Sequence, residues 1–415
     1  THPHKRQRTH TRTHTLKEAH QHTRAHADSH VSCRPHARLL SQDASTSRRT
    51  QGRPSTIGPI APDSWEAMAA ATLETSAPKH AFDEAVALER SLRGTAIGYA
   101  PATVGLKVPV INLQDPSAAD EMWKAATTVG FFTVTNHGIP QSAIDDTFAV
   151  SREFFALDKM DKYKASPFAK NMNSGYEFME QVRPSTGTAD QKESMQITAR
   201  TAAMDGRWPQ SPARFQSTSS NLMAASHALA TQILCMLERK ACPLLEEGTL
   251  ARAHTLWSDG GQCTLRMLHY PPTEPYDHAA ATDKAAKGPR VWRAGPHTDW
   301  TTITLLFQRP GGAGLECASN PNAPGGVKDG WVAVDPMEGG IAINIGDMLS
   351  RWSDGKLYSN LHRVRMPTPD ECKPPKSRYS IAFFMQADKE ALIESETNEP
   401  ITAGDYILHR IQSNY

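Results

Sequence analysis

From residue 263 onward the chain is cut into short apolar runs separated by Gly, Pro and Asp: 263–270, 301–307, 314–317, 331–334, 340–345, 362–364 and 379–385. Runs of this length are too short to bury a helix face, and their close, regular spacing predicts an all-β sandwich or jelly roll. The part before them reads differently. Helical patterns cover 81–92, 118–129, 147–162 and 219–241, with β-type runs at 108–113 and 131–135. In 219–241, Met223, Ala230, Ile233, Leu234, Leu237 and Ala241 form one stripe at helical spacing, which predicts a helix backing the core. The polar stretch 166–206 lacks clear periodicity and is expected to form loops.

Composition narrows the function classes. The 415 residues are 39% hydrophobic, with a mean hydropathy of −0.52 and no apolar run approaching the roughly 18–20 residues a membrane span needs. The six cysteines show no C-x-x-C pair, so they read as reduced thiols, and a cytoplasmic protein is expected. Residues 1–67 carry eleven Lys and Arg against five Asp and Glu, so of the overall charge of +1 the remainder holds −5. An acidic body is a poor match to nucleic acid, whose phosphates call for a concentrated basic face. The opening segment 1–36 contains nine of the eighteen histidines, alternating with Thr, Arg and Ala, and cannot bury enough apolar surface to fold. The first methionine is Met68. Residues 1–67 are therefore expected to be a disordered tail, translated from non-coding sequence; a transit-type leader is the alternative.

Of the nine histidines outside that segment, His297 stands out. In His297-Thr298-Asp299 an imidazole and a carboxylate two residues apart project to one side of a strand and can share an ion. His362 follows 63 residues later than Asp299, at the start of another β-type run. Two histidines and one carboxylate suit the facial set of a non-haem Fe(II) site, and no fourth ligand of the kind structural zinc requires is evident. Arg378 and Ser380 then share a face at the mouth of the run 381–385, a guanidinium beside a hydroxyl that suits a carboxylate ligand.

In this order, and with these neighbours, the chain resembles the 2-oxoglutarate and Fe(II)-dependent dioxygenases of the isopenicillin N synthase-like type. The resemblance runs from Val108 to Ala387 and is carried by VPVINL at 108–113, GFFTVTNHGIP at 130–140, KES at 192–194, LRMLHYP at 265–271, HTD at 297–299, GLE at 314–316, WV at 331–332, NIGD at 344–347, NLHRV at 360–364 and RYS at 378–380. It implies an α+β protein with a double-stranded β-helix, or jelly-roll, core flanked by helices. The implied division is a lead-in at 68–104, an N-terminal oxygenase region at 105–245, the jelly roll at 246–390 and a C-terminal tail at 391–415. It further implies iron bound by His297, Asp299 and His362, and the distal carboxylate of 2-oxoglutarate held by Arg378, Ser380 and Tyr270. Leu268 departs from the asparagine many relatives carry, and Asn112 from the usual aspartate.

The implied function is oxidation of a small organic metabolite, by hydroxylation or desaturation, using Fe(II), 2-oxoglutarate and O2, with ascorbate in support and release of succinate and CO2. Two alternatives stay open at this stage: an iron oxidase that dispenses with 2-oxoglutarate, and a catalytically silent small-molecule-binding protein. A monomer that engages neither nucleic acid nor membrane is expected. By analogy Tyr176, Phe178, Met195, Trp300 and Phe384 are candidates for the substrate pocket. His137 reads as a turn residue and His269 as a plain neighbour of Tyr270.

Overall fold

Successive side chains of a strand point to opposite faces, so one sheet can meet two environments at once. The computed structural model describes residues 87, 89–91, 107–273, 291–318 and 330–414, all within the compact unit Ser55–Tyr415. The segment 1–67 and most of the lead-in 68–104, including most of the helix expected at 81–92, lie outside the described residues. Residues 87 and 89–91 are helical.

The main sheet has eight strands. In chain order they are β1 (Val110–Asn112), β2 (Phe131–Thr135), β3 (Gly175–Phe178), β4 (Glu193–Thr198), β5 (Thr264–Tyr270), β7 (Ile303–Phe307), β10 (Ile341–Ile345) and β12 (Arg378–Met385). The second sheet comprises β6 (Ala294–His297), β8 (Leu315–Ala318), β9 (Trp331–Ala333) and β11 (His362–Val364). Their spatial orders are β1-β2-β10-β7-β12-β5-β4-β3 and β6-β11-β8-β9. From β5 to β12 the chain switches sheet at every step except β8 to β9, which is the winding of a jelly roll. All pairs within these two sheets are antiparallel apart from β1 with β2. The principal helices before the jelly roll are α1 (Ala118–Thr128), α2 (Gln141–Phe155), α3 (Lys159–Ala165) and α4 (Phe215–Ala241).

Register assigns the two faces of the main sheet. Leu265, Met267, Ile303, Leu305, Phe307, Ile341, Ile343, Ile345, Ile381, Phe383 and Met385 fall on the outer face and join the large apolar core. Helix α4 packs on the β5, β7 and β12 members of this set with Leu222, Met223, Ala230, Ile233, Leu234 and Leu237. Burying one such side chain is worth about 1.5–3 kcal/mol. The alternate residues, Thr264, Arg266, Leu268, Tyr270, Thr304, Leu306, Asn344, Arg378, Ser380, Ala382 and Phe384, face inward and line a cavity. A one-residue slip would exchange the two sets, so the apolar face of α4 also decides which polar groups reach the interior.

Four segments differ from expectation. The polar stretch 166–206 contributes β3 and β4, and every residue of β4 is buried. Its polar residues pair inside the fold instead of meeting water: Lys162 Nζ lies 2.7 Å from Glu193, and Gln196 donates to Glu177 at 2.9 Å. The helix expected at 147–162 is two helices, α2 and α3, because Asp158 caps the second by accepting from Met160 N at 2.8 Å. The boundary expected at 245 divides nothing spatially, since strands from both sides share one sheet. Residues 391–415, expected as a tail, form the pair β13 (Leu392–Ile393) and β14 (Ile401–Thr402) and then a closing helix (Ala403–Asn414), with Tyr406 and Arg410 buried. A short helix, α5 (Asp347–Trp352), precedes β11, and the closing helix is α6.

Gly346, at the start of α5, approaches the backbone of Thr301 so closely that a Cβ would overlap it. Gly346→Ala is expected to cost about 1–3 kcal/mol of stability, read as a lower denaturant midpoint; an unchanged midpoint would contradict this packing.

Candidate metal and cosubstrate site

Antiparallel pairing of β6 with β11 sets His362 directly opposite His297. Their ring centroids are 4.2 Å apart. Asp299, two residues beyond the end of β6, brings Oδ1 to 3.9 Å from His297 Nε2 and 3.6 Å from His362 Nε2. One donor atom from each of the three lies within 4.8 Å of the others, and no second group of this kind occurs among the described residues.

The surrounding hydrogen bonds select which atoms remain available. His297 Nδ1 is 2.7 Å from the Gly295 carbonyl and His362 Nδ1 is 3.3 Å from that of Asn360. A carbonyl only accepts, so each Nδ1 carries the proton and each Nε2 keeps its lone pair. Burial, with Arg183 and His362 adding to it, holds the His297 imidazole well below its ordinary pKa and therefore neutral. Asp299 Oδ2 accepts from Thr304 Oγ1 at 2.7 Å and Asn344 Nδ2 at 2.9 Å, which leaves Oδ1 turned to the imidazoles. Two neutral nitrogens and one carboxylate oxygen fit a divalent iron bound on one side.

Thr298, between His297 and Asp299, is fixed from behind. Thr298 Oγ1 contacts Glu89 Oε1 at 3.2 Å and Asp347 Oδ2 at 3.1 Å, and accepts from Arg410 Nη2 at 3.1 Å. Arg410 also bonds Glu89 at 2.9 Å and lies 3.3 Å from Asp347. Asp347 N donates to Asp299 O at 2.8 Å. Burial raises the pKa of both Glu89 and Asp347, with Arg410 opposing it.

The second sequence motif lies on the same cavity, whose volume is about 540 Å³. Arg378 pairs across the strands with Tyr270, and Ser380 with Leu268. Arg378 donates to the Gly312 carbonyl at 2.9 Å, Gln308 Oε1 at 3.1 Å and Ser380 Oγ at 3.1 Å, and its guanidinium stands 4.9 Å from the Tyr270 ring. It is 3% exposed, yet among the described residues it has no carboxylate partner. A buried cation left with neutral partners is costly, and an anionic ligand relieves that cost. This is the donor set a dicarboxylate needs at its far end.

Trp300 and Phe384 line the cavity as anticipated; Tyr176, Phe178 and Met195 do not. Tyr176 and Met195 are fully buried in the core, and Phe178 packs against it, because their strand positions face outward. His269 is more than a neighbour: it bonds Glu193 at 2.6 Å and Ser377 at 2.9 Å and stacks on Tyr379 at 4.5 Å. His137 serves its turn, accepting from Ile139 N at 3.2 Å. Asn112 likewise accepts from Gln114 N and Asn136 Nδ2. Sequence reading missed Thr304 and Asn344 as the partners of Asp299, although NIGD is part of a matching block. Arg293, which does not itself line the cavity, has its guanidinium 5.9 Å from the Tyr270 ring, and burial and Arg378 lower its pKa to about 10.

Residues 261–387 match the model of the 2OG-Fe(II) oxygenase superfamily, and residues 108–219 match that of the N-terminal region of non-haem dioxygenases in morphine synthesis. A 2-oxoglutarate-Fe(II) type oxidoreductase of Emericella nidulans is 30% identical over 312 residues, covering 69% of this chain and 81% of that protein. A 2-oxoglutarate-dependent dioxygenase of Didymella fabae is 30% identical, covering 71% and 90%. Among solved structures, a full-length Neurospora crassa protein in complex with alpha-KG and thymine superposes with a TM-score of 0.60 at 25% identity, covering 76% of this chain and 99% of that one.

Removing the amide that orients Asp299, in Asn344→Leu, is expected to weaken Fe(II) binding about 10–100-fold in an anaerobic calorimetric titration. Undiminished affinity would show that Asn344 does not position the carboxylate.

Proposed function

The chain belongs to the 2-oxoglutarate and Fe(II)-dependent oxygenase superfamily, and on that premise we propose that His297, Asp299 and His362 hold its iron while Arg378, Ser380 and Tyr270 hold the distal carboxylate of 2-oxoglutarate. The enzyme is a dioxygenase that uses Fe(II), 2-oxoglutarate and O2 to oxidise a small molecule. The observation that carries the residue assignment is the division of labour within Asp299, one carboxylate oxygen engaged by Thr304 and Asn344 and the other facing two imidazole nitrogens.

The chemistry supplied by the bound metal and cosubstrate is reduction of O2 coupled to decarboxylation of 2-oxoglutarate, so that substrate, 2-oxoglutarate and O2 yield hydroxylated substrate, succinate and CO2. The chain's own residues do the rest. Nδ1–H donation to Gly295 and Asn360 keeps both Nε2 atoms aimed at the ion. Thr298, locked among Glu89, Asp347 and Arg410, holds the turn that separates His297 from Asp299. Arg378, held by Gln308, Gly312 and Ser380, meets the cosubstrate with a charge already desolvated. Leu268, Leu306, Ala382 and Phe384 keep the intervening wall apolar and exclude water from the reacting groups. Hydroxylation is the outcome we favour, with desaturation as the other product class.

We also read the protein as a cytoplasmic monomer acting on free small molecules and not on nucleic acid. The buried thiols of Cys242, Cys263, Cys317 and Cys372 and the net charge of −5 outside residues 1–67 support this reading.

Succinate formation from 2-oxoglutarate in the presence of Fe(II) and ascorbate, stimulated by members of a metabolite panel, tests the reaction; an iron oxidase that dispenses with 2-oxoglutarate would make none. Arg378→Ala is expected to raise the 2-oxoglutarate requirement about 30–100-fold, the worth of a charge-assisted hydrogen-bond pair, and to leave the Fe(II) requirement within about two-fold. Equal losses of both would contradict the assigned role.

A further inference from the structure

The inner face of β5 carries a second arginine. Thr264, Arg266, Leu268 and Tyr270 alternate along it and all line the cavity. Tyr270 marks the end assigned above to 2-oxoglutarate; Arg266 stands four residues away, about 13 Å along the strand. Its neighbours across the sheet are Ala382 and Gln196. Arg266 Nη2 donates to Gln196 Oε1 and, at 3.4 Å, to Asn173 Oδ1. The Gln196 amide is held in that orientation because its nitrogen donates to Glu177 at 2.9 Å. On its other side the guanidinium lies 5.3 Å from the Phe384 ring. Phe384 is the cross-strand partner of Thr304, whose hydroxyl bonds Asp299. One aromatic ring thus links Arg266 to the neighbourhood of the three donor residues.

Charge is unbalanced here. Arg183 and Lys192, on the same cavity, are both paired with Asp190. Among the described residues Arg266 has only amide partners, and Arg200, also on the cavity, bonds only the Met172 carbonyl at 3.2 Å. The Nε of each is buried and unbonded, while Nη1 of each makes no hydrogen bond and is not buried. The surplus is felt by Lys192, lowered to about 8 chiefly by burial, with Arg183 and Arg266 contributing and Asp190 opposing.

We propose that this end of the cavity recognises an anionic group on the organic substrate, a carboxylate or a phosphate ester, with Arg266 as the principal contact and Arg200 as the second. A guanidinium whose plane is fixed by an aromatic face and two amides presents Nη1 as a free, charged donor to such a group. The inference rests on the dioxygenase reading and deepens it by naming the substrate class. Two anions then occupy the cavity at separate arginines: the cosubstrate at Arg378 and the substrate at Arg266.

The test uses anaerobic protein loaded with Fe(II) and 2-oxoglutarate, titrated calorimetrically with phenylacetate, phenyl phosphate and the neutral phenylacetamide. At least one anion is expected to bind roughly ten-fold or more tightly than the amide, with Arg266→Gln abolishing the preference, Arg266→Lys keeping part of it and Arg200→Gln reducing it several-fold. The 2-oxoglutarate affinity of Arg266→Gln should stay within about two-fold of the parent, which separates the two arginine sites. Whichever anion binds more tightly identifies the group. The proposal is overturned if neither anion is preferred over the amide, if the preference survives both Arg266→Gln and Arg200→Gln, or if an anion binds only when 2-oxoglutarate is omitted. Should Arg266→Gln lose its cooperative unfolding transition, Arg200→Gln decides. Failure of the dioxygenase reading would look different: anion preference intact, with no 2-oxoglutarate-dependent succinate from any substrate.

Discussion

The structure depends on the two-residue alternation of the main sheet. Ile303, Leu305, Ile381 and Phe383 lie against α4 and Ile343 joins the same apolar core, and once they do, Thr304, Asn344, Arg378 and Ser380 have no place to go but inward. Hydrophobic burial on one face therefore drives polar, ligand-binding groups into a cavity on the other. The second sheet completes the arrangement, because β6 and β11 pair with His297 opposite His362.

The cavity's electrostatics follow from desolvation. His297 is kept neutral by burial, so it offers a lone pair and no competing charge. Arg378 is buried among neutral partners, and Arg266 is held by amides. Guanidiniums in such surroundings favour anionic ligands more strongly than they would in water. Behind residues 297–299 the balance is different: Glu89 and Asp347 are matched with Arg410, a buried cluster that joins the helical residues near 89, α5 and α6. That cluster explains why the closing helix is part of the fold. Arg410 is fully buried, and removing it would leave two acidic groups without their cation.

Much of this was legible in the sequence, for physical reasons that differ by element. The strands from 263 to 385 other than β6 could be read because Gly, Pro and Asp punctuate them and their apolar residues alternate, and α4 because its stripe is long. His297, Asp299 and His362 could be picked out as a set by their order and spacing, although the strand ends at His297 and Asp299 follows it, so the two do not share a strand face as the i, i+2 spacing suggested. β4 could not: Glu193, Ser194, Gln196 and Thr198 look solvent-facing, yet each is buried, Glu193 and Gln196 in side-chain pairs with α3, β3 and β5 that no local pattern reveals. The short β6, with its Gly and Pro, gave no strand signal. Arg266 lay inside the stretch 265–271, but the role proposed for it depends on which face of β5 it occupies and on its having no carboxylate partner among the described residues, both tertiary facts.

The central claim is that three side chains, and no others, hold one metal ion. Electron paramagnetic resonance titration of Mn(II), a stand-in for Fe(II), tests it most directly. One site per chain is expected in the parent protein, weakened about 100-fold or more in each of His297→Ala, Asp299→Ala and His362→Ala, all with unfolding transitions near that of the parent. Retention of one tight site in folded Asp299→Ala or His362→Ala would contradict the account.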